Sequence, residues 1–143
     1  MTRGMIEAPL LERHSKNPIL TPTFRWWEDR CVFNSGATVH QGEVILLYRA
    51  QGGDRISRLG LARLRNGVEV VERRSQPVFE PDVHNEWERL GTEDPRIAAF
   101  DGRYYVSYTA ASLYPATKPI HRTRPSPFGE NGVPWRVRIA IAM

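Results

Sequence analysis

The sequence contains an internal repeat, in which a turn, an apolar strand and a small residue recur 60 positions later. The matched positions in the two copies are Gly42 and Gly102, Tyr48 and Tyr108, and Ala50 and Ala110. A second correspondence, with an offset of 80, places residues 58–62 over residues 138–142. A repeat built from short strands and turns predicts similar β-units that pack against one another.

The apolar runs are short, rich in β-branched or aromatic residues, and bounded by turn-forming residues. Residues 44–48 and 104–108 each follow a turn that contains glycine, and Asn66-Gly67 separates two further runs. Such turns take positive φ and join antiparallel strands. The one helix-like window, residues 85–90, is short and stops at Gly91. The sequence therefore predicts an all-β fold.

An all-β repeat of this period favours a β-propeller, whose blades are sheets of four strands in about 40–50 residues. We assign blade 1 to about residues 17–81 and a partial blade 2 to about residues 92–143. The chain, residues 1–143, would then be the N-terminal part of one propeller domain, with about one and a half to two blades. The Pro-rich residues 112–135 are predicted to be a surface loop inserted into the second copy. A compact β domain complete within 143 residues is the alternative.

Composition excludes several classes of function. The chain is 41% hydrophobic, with a net charge of +4, and its basic residues are dispersed among acidic ones, which argues against a nucleic-acid partner. No apolar run reaches the roughly 18 residues of a membrane span, and we expect no membrane partner. The single cysteine, Cys31, and the absence of a signal peptide favour the cytoplasm. The scattered histidines do not have metal-ligand spacing, so no metal site is predicted.

The repeat singles out one pair of polar residues. Asn34 and Asp94 occupy equivalent positions, at the start of the strands expected to line the central channel of a propeller. Pro95 is expected to hold Asp94 in an extended conformation. The alternative is that Asp94 caps a turn and pairs with Arg96.

Arg49 ends an apolar strand, where an unpaired guanidinium would be costly. It is expected to face a ligand or to form a buried ion pair, with Asp54 as a candidate partner. Trp26, Trp27 and Trp87 offer faces on which sugar rings stack, although tryptophan also serves as core.

Six motifs occur in order along the chain. They are Asn17-Pro18-Ile19-Leu20-Thr21-Pro22, Phe33-Asn34-Ser35-Gly36-Ala37, Leu47-Tyr48-Arg49-Ala50, Asp54-Arg55-Ile56-Ser57-Arg58-Leu59-Gly60, Pro77-Val78-Phe79-Glu80-Pro81 and Glu93-Asp94-Pro95-Arg96. Together, from about residue 17 to residue 142, they resemble glycoside hydrolase family 130, the β-mannoside phosphorylases.

The resemblance implies a five-bladed propeller and a set of site residues. Asp94 would be the catalytic acid, and Asn34, Arg49 and Arg55 would hold the mannosyl unit, with Asp54 and Arg58 as weaker candidates for substrate contact.

The resemblance also implies the reaction. Members cleave β-mannosides, such as β-1,4-mannooligosaccharides or mannosylglucose, with inorganic phosphate as co-substrate and no cofactor. They form α-mannose 1-phosphate with inversion, and one carboxylic acid suffices because phosphate is itself the nucleophile.

Two other functions stay open at this point. A hydrolase of the same fold would need a second carboxylate to activate water. A truncated carbohydrate-binding fragment would bind sugar without turnover. The expected partners are a small β-mannoside and phosphate, and the sequence leaves homo-oligomer formation open.

Overall fold

The computed structural model describes residues 11–113 and 135–143, which form seven strands. The strands are β1 (Cys31–His40), β2 (Glu43–Gln51), β3 (Ser57–Arg65), β4 (Glu69–Arg73), β5 (Gly91–Phe100), β6 (Arg103–Leu113) and β7 (Trp135–Ala142). These described residues contain no helix able to cross a membrane.

The strands form two antiparallel units. In the first, which we call blade 1, β1 pairs with β2, β2 with β3, and β3 with β4. In the second, blade 2, β5 pairs with β6, and β6 with β7. Among the described residues, one parallel pair, Ser57 with Gly91, joins β3 to β5. Each unit is therefore a meander, and the two are linked mainly through their side chains.

The repeat is present in the backbone. Strands β5 and β6 begin 60 residues after β1 and β2, and the bulge in β1 between Phe33 and Gly36 recurs in β5 between Glu93 and Arg96. The offset of 80 is also confirmed, because Tyr48 lies opposite Gly60 in blade 1 and Tyr108 lies opposite Ala140 in blade 2.

The predicted turns are confirmed by their backbone angles. Gln41 and Gly42 have φ of 50° and 81°, and the equivalent Asp101 and Gly102 have 49° and 71°. The Asn66-Gly67 turn between β3 and β4 likewise has positive φ at both residues.

The predicted insertion is too long at both ends. Ser112 and Leu113 belong to β6 and pair with Arg136 and Trp135 of β7. The small residues at the end of β6 continue the pairing with β7. The prolines further along the segment do not reveal this extension of the strand. The rest of the predicted loop lies outside the described residues.

A buried tyrosine–glutamate pair organises each blade. The Tyr48 hydroxyl donates to Glu28 Oε2 at 2.9 Å, and 60 residues later the Tyr108 hydroxyl donates to Glu88 Oε2 at 2.8 Å. Burial raises the pKa of both tyrosines to about 12. Gly60 is required beside Tyr48, because a Cβ there would lie 2.3 Å from the Tyr48 ring.

The two blades pack face to face. Phe79 meets the Tyr108 ring edge-on at 5.0 Å between centroids, and His40 lies 2.9 Å from the Tyr104 hydroxyl. The opposite face of blade 2 is apolar and open in the described structure, with exposed side chains along β7 that we call the outer face: Trp135, Val137, Ile139 and Ile141.

Candidate active site

The two bulges bring Asn34 and Asp94 together. Asn34 has a φ of 46° and Asp94 a φ of 51°, and the Asn34 amide donates to Asp94 Oδ1 at 2.9 Å. The expectation that Pro95 holds Asp94 extended is therefore wrong. A bulge residue takes the left-handed region here, which Asn and Asp tolerate better than other side chains.

Arg49 is the centre of the site, and all three of its guanidinium nitrogens are engaged. NH1 donates to Asp94 Oδ1 at 3.0 Å, NH2 to Glu93 Oε1 at 2.6 Å, and Nε to Ser57 Oγ at 2.9 Å. The guanidinium also lies over the Phe33 ring, 4.6 Å from its centroid. The expected ion pair of Arg49 is thus present, with carboxylates of blade 2 as its partners in place of Asp54.

Glu93 and Ser57 join the site without having been singled out in the sequence. The Ser57 hydroxyl donates to Glu93 Oε1 at 3.0 Å, the same oxygen that accepts from Arg49. Glu93 stands next to Asp94 in one of the motifs above, and this adjacency could have marked it as a site residue. Ser57 also lies in one of these motifs, and the pairing of β2 with β3 places it beside Arg49. Its contact with Glu93 depends on the pairing of β3 with β5, which the sequence did not reveal.

The surroundings of Asp94 favour its ionised form. Burial opposes ionisation, but hydrogen bonds from Asn34 and Arg49, with the charges of Arg49 and Arg96, outweigh it and hold the pKa of Asp94 below its ordinary value. Arg96 itself donates to the Pro95 carbonyl, so the predicted direct pair between Arg96 and Asp94 is not formed. Both described donors use Oδ1, and no described side chain donates to Oδ2. The side chain is 37% exposed, so a ligand can reach it.

Asp54 and Arg58 form a separate ion pair. Arg58 NH2 donates to Asp54 Oδ2 at 2.8 Å, its Nε donates to Glu80 Oε2 at 3.1 Å, and its guanidinium lies over the Trp26 ring. Burial alone would raise the pKa of Asp54, but the hydrogen bonds from Arg58 and from the Ile56 backbone outweigh burial. The pKa of Asp54 therefore lies below its ordinary value. The pair therefore fixes the loop between β2 and β3.

Arg55 lies at the tip of that loop, exposed and with a φ of 62°. Its carbonyl accepts from Gln51 Nε2 at 2.7 Å, and Gln51 also reaches Ser57 Oγ at 3.4 Å. The structure thus connects the loop backbone to the Arg49 cluster, while no contact within the described residues joins the Arg55 side chain to Asp94.

Each of the three tryptophans considered for sugar stacking has a partner within the protein. Trp27 is fully buried in the core of blade 1, where it stacks on Tyr48. Arg58 lies over the ring of Trp26, and Arg136 lies 3.8 Å from the centroid of Trp87. Core packing and cation–π contacts therefore explain these residues.

A cleft of about 410 Å³ lies on the other face of blade 1 and is mainly apolar, with Ile19, Leu20, Val32 and Leu46 in its wall. Asn34 lines its rim, but Asp94 and Arg49 do not. The described part of the chain also holds no group of three or more His, Cys, Asp or Glu side chains placed to bind a metal ion. The Asn34–Arg49–Asp94 cluster is therefore the candidate site.

Comparison with known proteins identifies relatives of the chain. A family model described as beta-1,4-mannooligosaccharide phosphorylase matches residues 7–127. The 1,2-beta-oligomannan phosphorylase of a Thermoanaerobacter species is 39% identical over 107 residues, which cover 69% of this chain and 35% of that protein. A beta-1,2-mannobiose phosphorylase of the same organism is 32% identical over 114 residues, with 69% and 36% covered. The chain spans about a third of the length of these curated relatives.

Solved structures have the same arrangement of strands. A glycosyl hydrolase from Bacteroides ovatus superimposes with a TM-score of 0.62 and 35% identity, over 68% of this chain and 33% of that one. A second structure, with a TM-score of 0.63 and 32% identity over 68% and 33%, comes from work on the family of mannoside phosphorylases and its glycoside hydrolases that target beta-1,2 mannosidic linkages in Candida mannan.

These matches bear out the fold class expected from the repeat, with the described strands forming parts of two blades of a β-propeller. The family match extends over most of the sequence and contains Asn34, Arg49 and Asp94. The two curated relatives are 39% and 32% identical over 69% of the chain. The chain belongs to glycoside hydrolase family 130, the β-mannoside phosphorylases.

Proposed function

We propose that this protein acts in the inverting phosphorolysis of β-mannosides, with Asp94 as the catalytic acid. The observation that carries the proposal is the Asn34–Arg49–Asp94 cluster, which stands at the boundary of two blades in a chain of this family. The named relatives are phosphorylases of β-1,2-linked mannosides. A β-1,2-linked mannoside is therefore the first substrate to test, beside a β-1,4-linked one.

Each residue has a definite role in this proposal. Arg49 and Asn34 hold Asp94 through Oδ1 and offer their remaining polar edges to the mannosyl unit. Asp94 Oδ2, which accepts from no described side chain, delivers a proton to the departing sugar oxygen. A phosphate oxygen attacks the anomeric carbon from the opposite face as the glycosidic C–O bond breaks, which gives the α-phosphate.

The low pKa of Asp94 constrains how this acid works. The free carboxyl group is ionised at neutral pH, so Asp94 must take up a proton when the substrate binds. A sugar hydroxyl that displaces one of the donors from Oδ1 would raise the pKa of Asp94 toward the working pH. Exclusion of water from the site by the bound substrate would act in the same direction.

The loop between β2 and β3 completes the mannosyl site in this proposal. Arg55 extends it from the loop tip, while Asp54 and Arg58 keep the loop in place through their ion pair. We propose phosphate as the co-substrate, no cofactor, and a cytoplasmic location.

The test is phosphate-dependent release of mannose 1-phosphate from β-1,2- and β-1,4-mannobiose. Asp94→Asn keeps the size of the side chain but removes the proton, and turnover should fall by at least about 10²–10⁴-fold. Asp101→Asn is the matched control, because it makes the same chemical change at an exposed turn whose positive φ suits asparagine. Turnover by Asp94→Asn within threefold of wild type would show that Asp94 is not the acid.

A hydrolase is the second candidate, because a solved relative comes from work that describes glycoside hydrolases within this family. Release of free mannose at an equal rate with and without phosphate would establish hydrolysis and refute phosphorolysis. Binding of mannobiose with no product in either condition would identify a carbohydrate-binding chain.

A further inference from the structure

Arg49 is shared between two neighbouring carboxylates. NH2 is 2.6 Å from Glu93 Oε1, and NH1 is 3.0 Å from Asp94 Oδ1. The Arg49 and Glu93 side chains are only 15% and 17% exposed, so water screens this pair weakly. The shorter contact belongs to Glu93, a residue to which the reaction gives no part.

Glu93 is itself fixed on a second side. Ser57 Oγ donates to the same Oε1 atom at 3.0 Å and accepts from Arg49 Nε at 2.9 Å. Arg49, Glu93 and Ser57 thus form a closed triangle of hydrogen bonds. The triangle leaves NH1 as the nitrogen of Arg49 directed at Asp94.

We propose that Glu93 is a positioning residue for Asp94, acting through Arg49. It holds the guanidinium in one orientation and balances part of its charge, so that Asp94 is not the only counterion of Arg49. This role rests on the proposed function, in which Asp94 must carry a proton.

The charges around Asp94 give the direction of the effect. Arg49 of β2 and Arg96 of β5 are the cations facing Asp94, and Asn34 of β1 is neutral. Glu93, which shares Arg49 with Asp94, is the neighbouring anion. Removing the Glu93 charge leaves the full charge of Arg49 acting on Asp94 and removes a nearby like charge. Both changes favour the ionised form and make Asp94 harder to protonate.

The test measures the pKa of Asp94 directly, by carboxyl ¹³C NMR titration of the full chain with the Asp94 signal assigned from Asp94→Asn. Glu93→Gln keeps the shape and the acceptor oxygen, and the Asp94 pKa should fall by about one unit. Glu43→Gln removes a carboxylate that also pairs with an arginine, Arg63, away from the cluster, and should leave the Asp94 pKa unchanged. An unchanged or raised pKa in Glu93→Gln overturns the proposal.

A second variant covers the case in which Glu93→Gln does not fold. Ser57→Ala keeps every charge but removes the hydroxyl that bridges Arg49 and Glu93, so hydrogen exchange at Arg49 Nε should quicken roughly tenfold. Exchange at the wild-type rate would show that the triangle does not hold Arg49, which also overturns the proposal.

Activity provides a separate readout. Asp94 acts when protonated, so the alkaline limb of the kcat/KM profile should move to lower pH in Glu93→Gln by the same amount as the pKa. A limb that stays in place while the pKa falls overturns the positioning role. Wild-type protein that makes no mannose 1-phosphate refutes the proposed function, whereas the NMR titration still decides whether Glu93 controls Asp94.

Discussion

Blade 1 and blade 2 share a backbone plan and differ in the side chains placed on it. The bulge in β1 presents Asn34 and the equivalent bulge in β5 presents Asp94, with φ values within a few degrees of each other. Adjacent blades thus direct an amide and a carboxylate at one another, 2.9 Å apart. The comparison shows that the bulge supplies position, whereas the side chain that occupies it decides the chemistry.

The interiors of the blades differ in a similar way. Glu28 in blade 1 is fully buried and accepts from Tyr48, Arg73 and Arg25. Its equivalent Glu88 accepts from Tyr108 and from the Asp82 backbone. Two arginines therefore balance the charge of Glu28 in blade 1. In blade 2 the described partners of Glu88 are uncharged hydrogen-bond donors.

The strongest test exchanges the two bulge residues. The double variant Asn34→Asp, Asp94→Asn keeps composition, charge and both backbone positions, but the carboxylate then belongs to blade 1. We expect turnover to fall by about 10²–10⁴-fold, as for Asp94→Asn alone, because Arg49 NH1 is aligned with a carboxylate at position 94. Phosphorolysis assays decide it, and recovery to within threefold of wild type would show that the two bulges are interchangeable.

The next effect concerns stability. Glu28→Gln leaves Arg73 and Arg25 without their carboxylate partner, and should lower the free energy of unfolding by about 3–5 kcal/mol. Within the described residues Glu88 has only hydrogen-bond partners, so Glu88→Gln should cost about 1–2 kcal/mol. Urea unfolding followed by tryptophan fluorescence compares them, and equal losses would contradict the distinction between the blades.

The pH dependence of stability should differ between the bulge residues. The folded pKa of Asp94 is lowered, so its contribution is present above the ordinary pKa of an aspartate and is lost as pH falls through the lowered value. We expect the urea midpoint of unfolding to fall as the pH drops below the ordinary pKa of an aspartate, and Asp94→Asn to flatten that fall. Asn34→Ala should retain more of this pH dependence than Asp94→Asn does, because Arg49 still donates to Asp94. An identical slope in Asp94→Asn and wild type would rule out this linkage.

The smallest effect concerns the outer face. The β3 side chain Leu59 is fully buried, whereas Ile139, its equivalent at the offset of 80, is 84% exposed. We expect the chain to self-associate through this face, and Ile139→Thr with Ile141→Thr should reduce the associated fraction a few-fold while retaining strand propensity. Val39→Thr, at an exposed site of blade 1, is the control. Light scattering across a concentration series measures the result, and equal association in both variants would exclude the outer face.

The repeat made the strands and turns predictable, since glycine positions and apolar alternation are local properties of the sequence. The partner of Arg49 was not predictable in the same way. Asp54 is near it along the chain, but Glu93 reaches it because one blade packs on the next. The positive φ of Asp94 was missed because the residue before a proline is usually extended, and the bulge that overrides this rule depends on the pairing of β5 with β6.

The tryptophans illustrate the same limit. Composition showed aromatic faces, but whether a face is free depends on which arginine lies on it. Trp26 and Trp87 each have a guanidinium over the ring, from a strand distant in sequence. Asp94, by contrast, could be found from the sequence, because its equivalence to Asn34 is a matter of counting residues.

In the described part of the chain, Ser57 and Gly91 are the one backbone pair between strands of the two blades, and this has a mechanical consequence. Because backbone pairing at this boundary is so limited, the ion pairs of Arg49 with Glu93 and Asp94 also hold the two blades together. Stiffness of the boundary and acidity of Asp94 therefore depend on the same few atoms. A mutation that tunes one property shifts the other, so the sequence at this boundary can change only in ways that satisfy both.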